Sequence, residues 1–490
     1  MNLDTLIHDL SSTPQITGPL SQEISGVSYD SRQVQAGHLF IAVQGIISDG
    51  HDYIKLAIQA GAIAIVYDRP EISIPSSVVA ILVQNSRLIL PEIAATYYGH
   101  PEDKLKLLAI TGTNGKTSTN YFVQHLLTSA MQNTGRIGTT GAALGDTKVD
   151  LMHTTPESAD LYEILAEFVS HGAKAVTLEV SSHALAQNRV DGLQFDVAVY
   201  TNLTQDHLDY HGSIEEYLAA KQLLFKGLSK DSVAIVNTDD PFSERIIEVC
   251  VAKIIRYGYN SEAEFRILDH SINRNGVELS LQTPDGLRNI QVNTVGQFNY
   301  YNFLAAYAAA IELECDLDLV EKAARSLPVI PGRLEKMNNT APFLVYVDYA
   351  HTPDAMETVL ATLADTYPDQ ALISVFGCGG DRDQGKRPLM GEIASRLSTR
   401  TIITDDNPRS EVPLSILDAI ATGCLNQTNY SIIQDRSSAV NAALKDAKTG
   451  DIVVILGKGH EAYQEIQGAR IPYSDMNIIN QFMERYGYSA

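Results

Sequence analysis

No stretch of the 490-residue chain approaches the ~20 consecutive apolar residues that a bilayer-spanning helix needs. Its four cysteines, Cys250, Cys315, Cys378 and Cys424, are scattered without a CxxC pair. That excludes a disulfide frame and a cysteine zinc site and fits reduced thiols in a cytosol. There is no basic surplus either: 36 Lys and Arg stand against 59 Asp and Glu, a net charge of −23. Such a field repels nucleic acid and anionic membranes, so neither is expected as a partner. It repels phosphates too, so any nucleotide site must be assembled locally from backbone N–H groups, a few bases and a metal. The opening MNLDTLIHDLSS has no basic n-region and no continuous apolar core, so no signal peptide is expected and the location is read as cytoplasmic. Low-complexity tracts and repeats of fixed period are also missing.

What is there has three textures, and the length alone calls for about three domains. Residues 1–100 mix short β-like runs (GHLFIAV, AIAIVYD, SVVAILV) with a helical pattern, as in a small α/β domain. Residues 101–332 alternate buried-strand patterns (KLLAI, AKAVTLEVS, FDVAVYTNL, DSVAIVNTDD) with helices, predicting a mostly parallel, doubly wound sheet. IPGR, around Pro331 and Gly332, reads as a hinge. Residues 333–490 repeat the alternation, and ALISVF, RTIIT and DIVVIL each run into a polar, Gly-rich loop. Ligands of open α/β sheets bind beyond the carboxyl ends of strands, where these loops lie.

AITGTNGKTSTN, 109–120, joins a strand to a helix. Gly112 and Gly115 let the backbone approach a polyphosphate with its N–H groups pointing inward; Lys116 can reach the β/γ-phosphates and Thr117 can offer its hydroxyl to Mg²⁺. Ile110 occupies the first Gly position of the GxxxxGK[ST] pattern, so only the shorter GTNGKT form is present. Glu179, near the end of LEVS, stands where a P-loop enzyme holds Mg²⁺, although an acid at a strand end is as often a cap. Ser213 with Glu216 forms a capping box, so a helix starts there, and 3–4 spacing puts Lys221 on its apolar face with Tyr217 and Leu224. Either this lysine snorkels to water, or its charge is altered in a site that needs an anion. DDNPRSE, 405–411, sets Arg409 in a carboxylate-flanked turn. It is a solvated loop paired with Asp405, Asp406 or Glu411, or a fork for another molecule's carboxylate.

TGTNGKTS, LEVSSHAL, TNLTQDHLDYHG, AAKQLLF, GQFNYYNFLAA, VDYAHTPDAM, GGDRDQGKRPLMG, DDNPRSE and GKGHEAY occur in this order. Together they resemble the Mur ligases, over nearly the whole chain. The P-loop and FNxxN are shared with folylpolyglutamate synthetases, whereas DNPR with GKGHE resembles the diaminopimelate-adding branch.

The resemblance implies three α/β domains: a small N-terminal UDP-binding domain, a central P-loop doubly wound parallel sheet and a C-terminal Rossmann-like domain. It implies a cytoplasmic, monomeric enzyme of peptidoglycan precursor synthesis that uses ATP, UDP-MurNAc-L-Ala-D-Glu and meso-diaminopimelate. ATP phosphorylates the D-Glu γ-carboxylate, and the amine attacks the acyl phosphate. Thr111, Gly112, Thr113, Asn114, Gly115, Lys116 and Thr117 match the ATP loop, with Asn299, Asn302, Arg333, Asp348 and His351 closing around the nucleotide. Thr117, Glu179 and His207 match Mg²⁺ ligands, and Lys221 matches a carbamylated lysine able to hold a second Mg²⁺. The catalytic set implied is Lys116, Glu179, His207 and Lys221. Ser31 and the GIISDG loop match uridine and diphosphate contacts, where Tyr29 replaces the usual small or aliphatic residue. Thr154, Thr155, Ser181, Gln187 and Arg189 match muramyl-dipeptide contacts. Arg382, Asp406, Asn407, Pro408, Arg409, Gly457 and Glu461 match the diaminopimelate pocket. Addition of L-lysine, a folylpolyglutamate-type ligase and a nucleotide-binding protein with a dead site are the rival readings.

Overall fold

Strands that are apolar on both faces need cover on both faces, and three sheets in this chain meet that need with helices. The computed structural model describes residues 1–8, 10–45, 48–130, 133–273, 276–294, 296–424 and 429–489. The first sheet runs Gln15–Thr17, Val79–Leu82, Ala64–Tyr67, His38–Ile41, Gly26–Ser28, parallel except for its first strand.

Among the described residues the central sheet has eleven strands. Six are parallel in the order Lys253–Gly258, Val233–Asn237, Val197–Tyr200, Lys106–Thr111, Ala175–Glu179, Thr134–Gly138. Phe265–Asn273 adds in parallel beside Lys253–Gly258 and leads into two antiparallel strands, Gly276–Thr283 and Gly286–Val292. The opposite edge closes with antiparallel Gly141–Leu144 and Thr147–Val149. These antiparallel flanks are the part of the sheet that strand–helix alternation did not signal. Alternate residues of Lys106–Thr111 feed opposite cores: Leu107 and Ala109 pack on one side, Leu108 and Ile110 on the other. Because that strand lies between Ala175–Glu179 and Val197–Tyr200, the P-loop emerges beside Glu179 on one side and Thr201 on the other.

The third sheet runs Glu335–Lys336, Leu344–Asp348, Ile452–Leu456, Leu372–Phe376, Arg400–Ile403, Tyr430–Ile432, parallel after its first strand. A separate hairpin, Tyr463–Ile466 with Ala469–Pro472, lies against the loop that follows Arg400–Ile403. The four cysteines are free thiols. Among the described residues no helix is long and apolar enough to cross a membrane.

Candidate active site

Two glycines shape the phosphate loop. Gly112 (φ 152°) and Gly115 (φ 86°) lie in the left-handed half of backbone space. A Cβ at Gly112 would sit 1.8 Å from Thr201 Oγ1, and one at Gly115 would sit 2.4 Å from Asn302 Oδ1. The helix Lys116–Ser129 follows, so its free N–H groups face the loop. Lys116 Nζ donates to the carbonyls of Gly112 (2.8 Å) and Thr113 (2.9 Å), and burial lowers its pKa from the ordinary lysine value. Thr111 is fully buried under the loop, while Thr113 Oγ1 meets Tyr217 OH at 3.2 Å.

Thr117 and Glu179 come together: Thr117 Oγ1 donates to Glu179 Oε2 at 2.9 Å, and Thr139 donates to both carboxylate oxygens. These hard oxygen donors suit Mg²⁺, which takes one or two protein carboxylates, keeps waters and accepts phosphate oxygens. Among the described residues no three His, Cys, Asp or Glu side chains form a preformed metal cluster. His207 (φ 54°) faces Asp206, Nε2 to Oδ2 3.3 Å, and burial drives its pKa down to about 4. Burial pushes Asp206 up, but His207, His351 and Lys386 outweigh it and hold that carboxyl at about 2.

Lys221 lies on the helix Ile214–Lys226, whose start is capped by Ser213 Oγ accepting from Glu216 N. The residue is 1% exposed, so it does not snorkel. Its Nζ lies 4.3 Å from the Tyr217 ring centre, with no hydrogen-bond or ion-pair partner among the described residues. Burial, then the nearby Lys116 charge, pushes its amine well below the lysine range.

A cavity of about 750 Å³ opens beside the loop, and Asn114, Gly115, Asn302, Arg333 and Asp348 all contribute to its wall. Asn302 and Asn299 are one turn apart on Gln297–Glu312, and Asn302 Nδ2 donates to Asn299 Oδ1 at 3.2 Å. Arg333 Nη2 reaches Thr117 Oγ1 at 3.3 Å, and its guanidinium lies over Tyr349 at 4.7 Å. Asp348 accepts from Leu334 N and Ala350 N, fixing the turn after the PGR segment. His351 Nε2 stands 3.8 Å from Asp206 Oδ2, bridging the last and central units.

A second cavity, about 1070 Å³, lies between the first and central units, with Tyr29, Ser31, Arg32 and Arg87 in its wall. Ile46 and Ile47 of GIISDG lie outside the described residues. Tyr29 OH donates to Asp160 at 2.6 Å, so the unusual residue ties the two units together. The five muramyl-dipeptide candidates converge. Thr155 Oγ1 donates to Glu179 O (2.8 Å) and accepts from Ser181 N (3.0 Å). Arg189 reaches Gln187 Oε1 (2.8 Å) and Thr155 O (2.9 Å), and Thr154 Oγ1 meets Thr139 Oγ1 (3.1 Å).

The amino-acid candidates assemble at the carboxyl ends of Arg400–Ile403 and Ile452–Leu456. Arg409 (φ 49°) is held by the hairpin, its N–H donating to Glu465 O. Its Nη1 donates to Gly380 O at 2.7 Å and its Nε to Glu465 Oε2 at 3.3 Å. Asp405, Asp406 and Glu411 leave it alone: Glu411 pairs with Arg387 at 2.7 Å, and Asp406 lies 4.0 Å from Arg436. The competing carboxylate is therefore Glu465, 56 residues along the chain. Asn407 donates to Glu461 Oε2 (3.1 Å) and accepts from Lys458 Nζ (3.0 Å). A Cβ at Gly457 (φ 107°) would meet Asp406 Oδ2 at 2.8 Å. Pro408 O crowds Gly380, while Gly379 separates Arg409 from the half-exposed Arg382.

The motif reading passed over Lys458, although it sits inside GKGHE; it is fully buried and bonds Asn407 and Glu461 Oε2 (2.9 Å). It also passed over Arg436, whose guanidinium donates to both Asp475 oxygens and to Leu456 O, with no motif to mark it. Asp206 could have been noticed as the acid just before His207.

A glycine loop on a central parallel sheet, a carboxylate beside its threonine and a last unit folded over both define an ATP-dependent ligase architecture. Residues 23–98 match the Mur ligase family catalytic domain, 110–310 the Mur ligase middle domain, and 332–459 the Mur ligase glutamate ligase domain. The chain belongs to the Mur ligase family. Among its curated relatives, proteins from Geobacter sulfurreducens (41% identical over 482 residues, 94% of each chain) and Syntrophomonas wolfei (39% over 487 residues, 99% of each) both carry the name UDP-N-acetylmuramoyl-L-alanyl-D-glutamate–2,6-diaminopimelate ligase. A solved structure with that name is similar over 100% of both chains, at 32% identity and a TM-score of 0.69.

Proposed function

We infer that this chain is an ATP-dependent ligase that adds meso-diaminopimelate to the D-Glu γ-carboxylate of UDP-MurNAc-L-Ala-D-Glu, in peptidoglycan precursor synthesis. The observation that carries the reading is the meeting of the DNPR and GKGHE loops in one pocket, where Asn407, Lys458 and Glu461 interlock beside a partly free Arg409 fork.

We take the working units as residues 1–100 for the UDP-sugar, 101–332 for ATP and 333–490 for the amino acid. The P-loop N–H groups and Lys116 hold the polyphosphate, with Asn302, Arg333 and Asp348 around the nucleotide. A carboxylate is a poor electrophile; phosphorylation turns it into a mixed anhydride, and most of the catalysis is positioning and charge neutralisation. Thr155, Ser181, Gln187 and Arg189, knitted together at the end of Ala175–Glu179, orient the dipeptide toward the transferred phosphoryl group. Arg409 takes the distal carboxylate of diaminopimelate, and Asn407 with Glu461 takes the distal amine.

Thr117 and Glu179 are the Mg²⁺ ligands best supported by their donor chemistry, with His207 and Lys221 completing two sites. Bound there, Mg²⁺ supplies positive charge to the phosphates. Lys221 qualifies only as a carbamate, and burial favours the neutral amine that adds CO₂ and releases a proton. The enzyme works as a cytoplasmic monomer.

Phosphate release tests the reading. It should need ATP, Mg²⁺, UDP-MurNAc-L-Ala-D-Glu and the amino acid together; release that is indifferent to the UDP-substrate would overturn it.

A further inference from the structure

A buried Arg–Glu–Arg triad joins the first unit to the candidate dipeptide site. Glu157, 8% exposed, is the N-cap residue of the helix Ser158–Ser170, yet among the described residues its carboxylate does not cap that helix. It faces two guanidinium groups instead. Its Oε1 lies 3.0 Å from Arg189 Nε, and its Oε2 accepts from Arg87 Nη1. Arg87 belongs to the first unit, on the helix Ser86–Tyr98, whose start Asn85 caps by accepting from Arg87 N at 2.9 Å. The Arg87 Nη2 donates to Gln44 O at 3.2 Å, immediately before the GIISDG loop. Arg87 also stands in the walls of two cavities. One is the cavity of about 1070 Å³ that carries Ser31; the other, about 350 Å³, carries Gln44 and Gln187.

Arg189 is buried to the same degree as Glu157 and is held on three sides. Its Nη1 donates to Thr155 O (2.9 Å), its Nη2 to Gln187 Oε1 (2.8 Å), and Glu157 faces its Nε. A guanidinium carries five N–H groups, so one on each terminal nitrogen remains for a ligand. A fork whose plane is fixed in advance suits a carboxylate and has little freedom left to lose on binding. Glu157 is the only charged member of that hold among the described residues. Removing it would leave the buried Arg189 charge on neutral oxygens alone.

We propose that Glu157 is a positioning residue for the acceptor substrate: it sets the Arg189 fork at the dipeptide site, and Arg87 makes that setting depend on the first unit. The proposal rests on the ligase reading. Glu157 touches no reacting atom and acts through Arg189. Arg87 acts through Glu157, so docking of the uridine-binding unit prepares the fork that receives the other end of the same substrate.

The test compares wild type with Glu157→Gln, Arg87→Met, Arg87→Lys and the double variant Glu157→Gln/Arg87→Met. Glu157→Gln should raise KM for UDP-MurNAc-L-Ala-D-Glu by about 10- to 100-fold, with KM for ATP and diaminopimelate within about threefold of wild type. Arg87→Met should raise the same KM by about tenfold, and Arg87→Lys should recover part of it. The double variant should be no worse than Glu157→Gln by more than about threefold, because both changes break one linkage. UDP, used as a competitive inhibitor, probes the first-unit end alone, and its inhibition constant should stay within about twofold in Arg87→Met. If UDP weakens as much as the whole substrate, Arg87 holds the diphosphate itself and the proposal is overturned. It is equally overturned if the two single effects multiply, if a folded Glu157→Gln keeps KM within about threefold, or if all three KM values shift together with the thermal midpoint. Calorimetry with UDP-MurNAc-L-Ala-D-Glu repeats the comparison without turnover. A wild type that binds this substrate but forms no product would therefore overturn the ligase reading and leave the triad to be judged by affinity.

Discussion

Replacing Arg409 with Ala removes a guanidinium whose side chain is 20% exposed and whose hydrogen bonds are only partly used. Nη1 is engaged by Gly380 O and Nε by Glu465, while Nη2 has no partner among the described residues. Meso-diaminopimelate differs from L-lysine by a carboxylate at the distal carbon, so a charge-assisted bond to the remaining edge is available to one substrate and not the other. A buried charge-assisted pair of this kind is worth roughly 2–4 kcal/mol, or about 30- to 1,000-fold in kcat/KM. Arg409→Ala should lose diaminopimelate activity by that factor and change lysine activity by less than about threefold. Backbone strain is a separate matter, because φ at this position is 49°. Asn tolerates the left-handed region better than Ala, so Arg409→Asn should show the same loss of preference. Initial rates of phosphate release with each amino acid below saturation measure both numbers. Equal losses for diaminopimelate and lysine would mean the loop had collapsed, and the reasoning about the fork would be refuted.

Lys116→Ala should bind UDP-MurNAc-L-Ala-D-Glu normally by calorimetry yet form no trappable acyl phosphate, since several kcal/mol of charge stabilisation is lost (an order-of-magnitude figure); near-normal turnover would refute the loop assignment. Lys221→Ala should be nearly inactive and partly restored by short carboxylic acids, which mimic a carbamate, whereas Lys221→Arg should not respond; an active Ala variant would show that the buried amine is structural. His183 is held at about 3, chiefly by burial and then by His207 and His211, against an ordinary 6.5. Below about pH 6.5 the unfolded chain therefore binds more protons than the folded one, so stability is full above that pH and is lost as pH falls toward the folded pKa. His183→Asn should show a shallower fall in thermal midpoint between about pH 7 and pH 5 than wild type, and identical slopes would contradict this.

Much of the site could be read from local pattern. Strand Lys106–Thr111, glycine loop and helix Lys116–Ser129 follow one another directly, so the position of Lys116 and Thr117 was visible before any tertiary information. The capping box at Ser213 and Glu216 fixed the helix start, and its spacing already turned Lys221 inward. Glu179 needed only the knowledge that its strand neighbours the loop strand. Contacts that depend on distant chain segments were not visible. Glu465 meets Arg409 through a two-stranded hairpin that belongs to no sheet motif, and Tyr29 meets Asp160 across 131 residues. Arg436 reads as one more surface base in SIIQDRSS, and only the fold places it at the ends of two site-bearing strands. The antiparallel strands Gly276–Thr283 and Gly286–Val292 went unread for a related reason: they alternate buried and more exposed residues, unlike the buried parallel strands that set the pattern.

The most direct measurement is an amino-acid panel with the purified protein, ATP, Mg²⁺ and UDP-MurNAc-L-Ala-D-Glu, with the products weighed by mass spectrometry. The account predicts a UDP-MurNAc-tripeptide carrying diaminopimelate, formed with kcat/KM roughly 30- to 1,000-fold above that for L-lysine. Equal use of the two amino acids would contradict the assignment of the Arg409 pocket, and no tripeptide with any member of the panel would contradict the ligase itself.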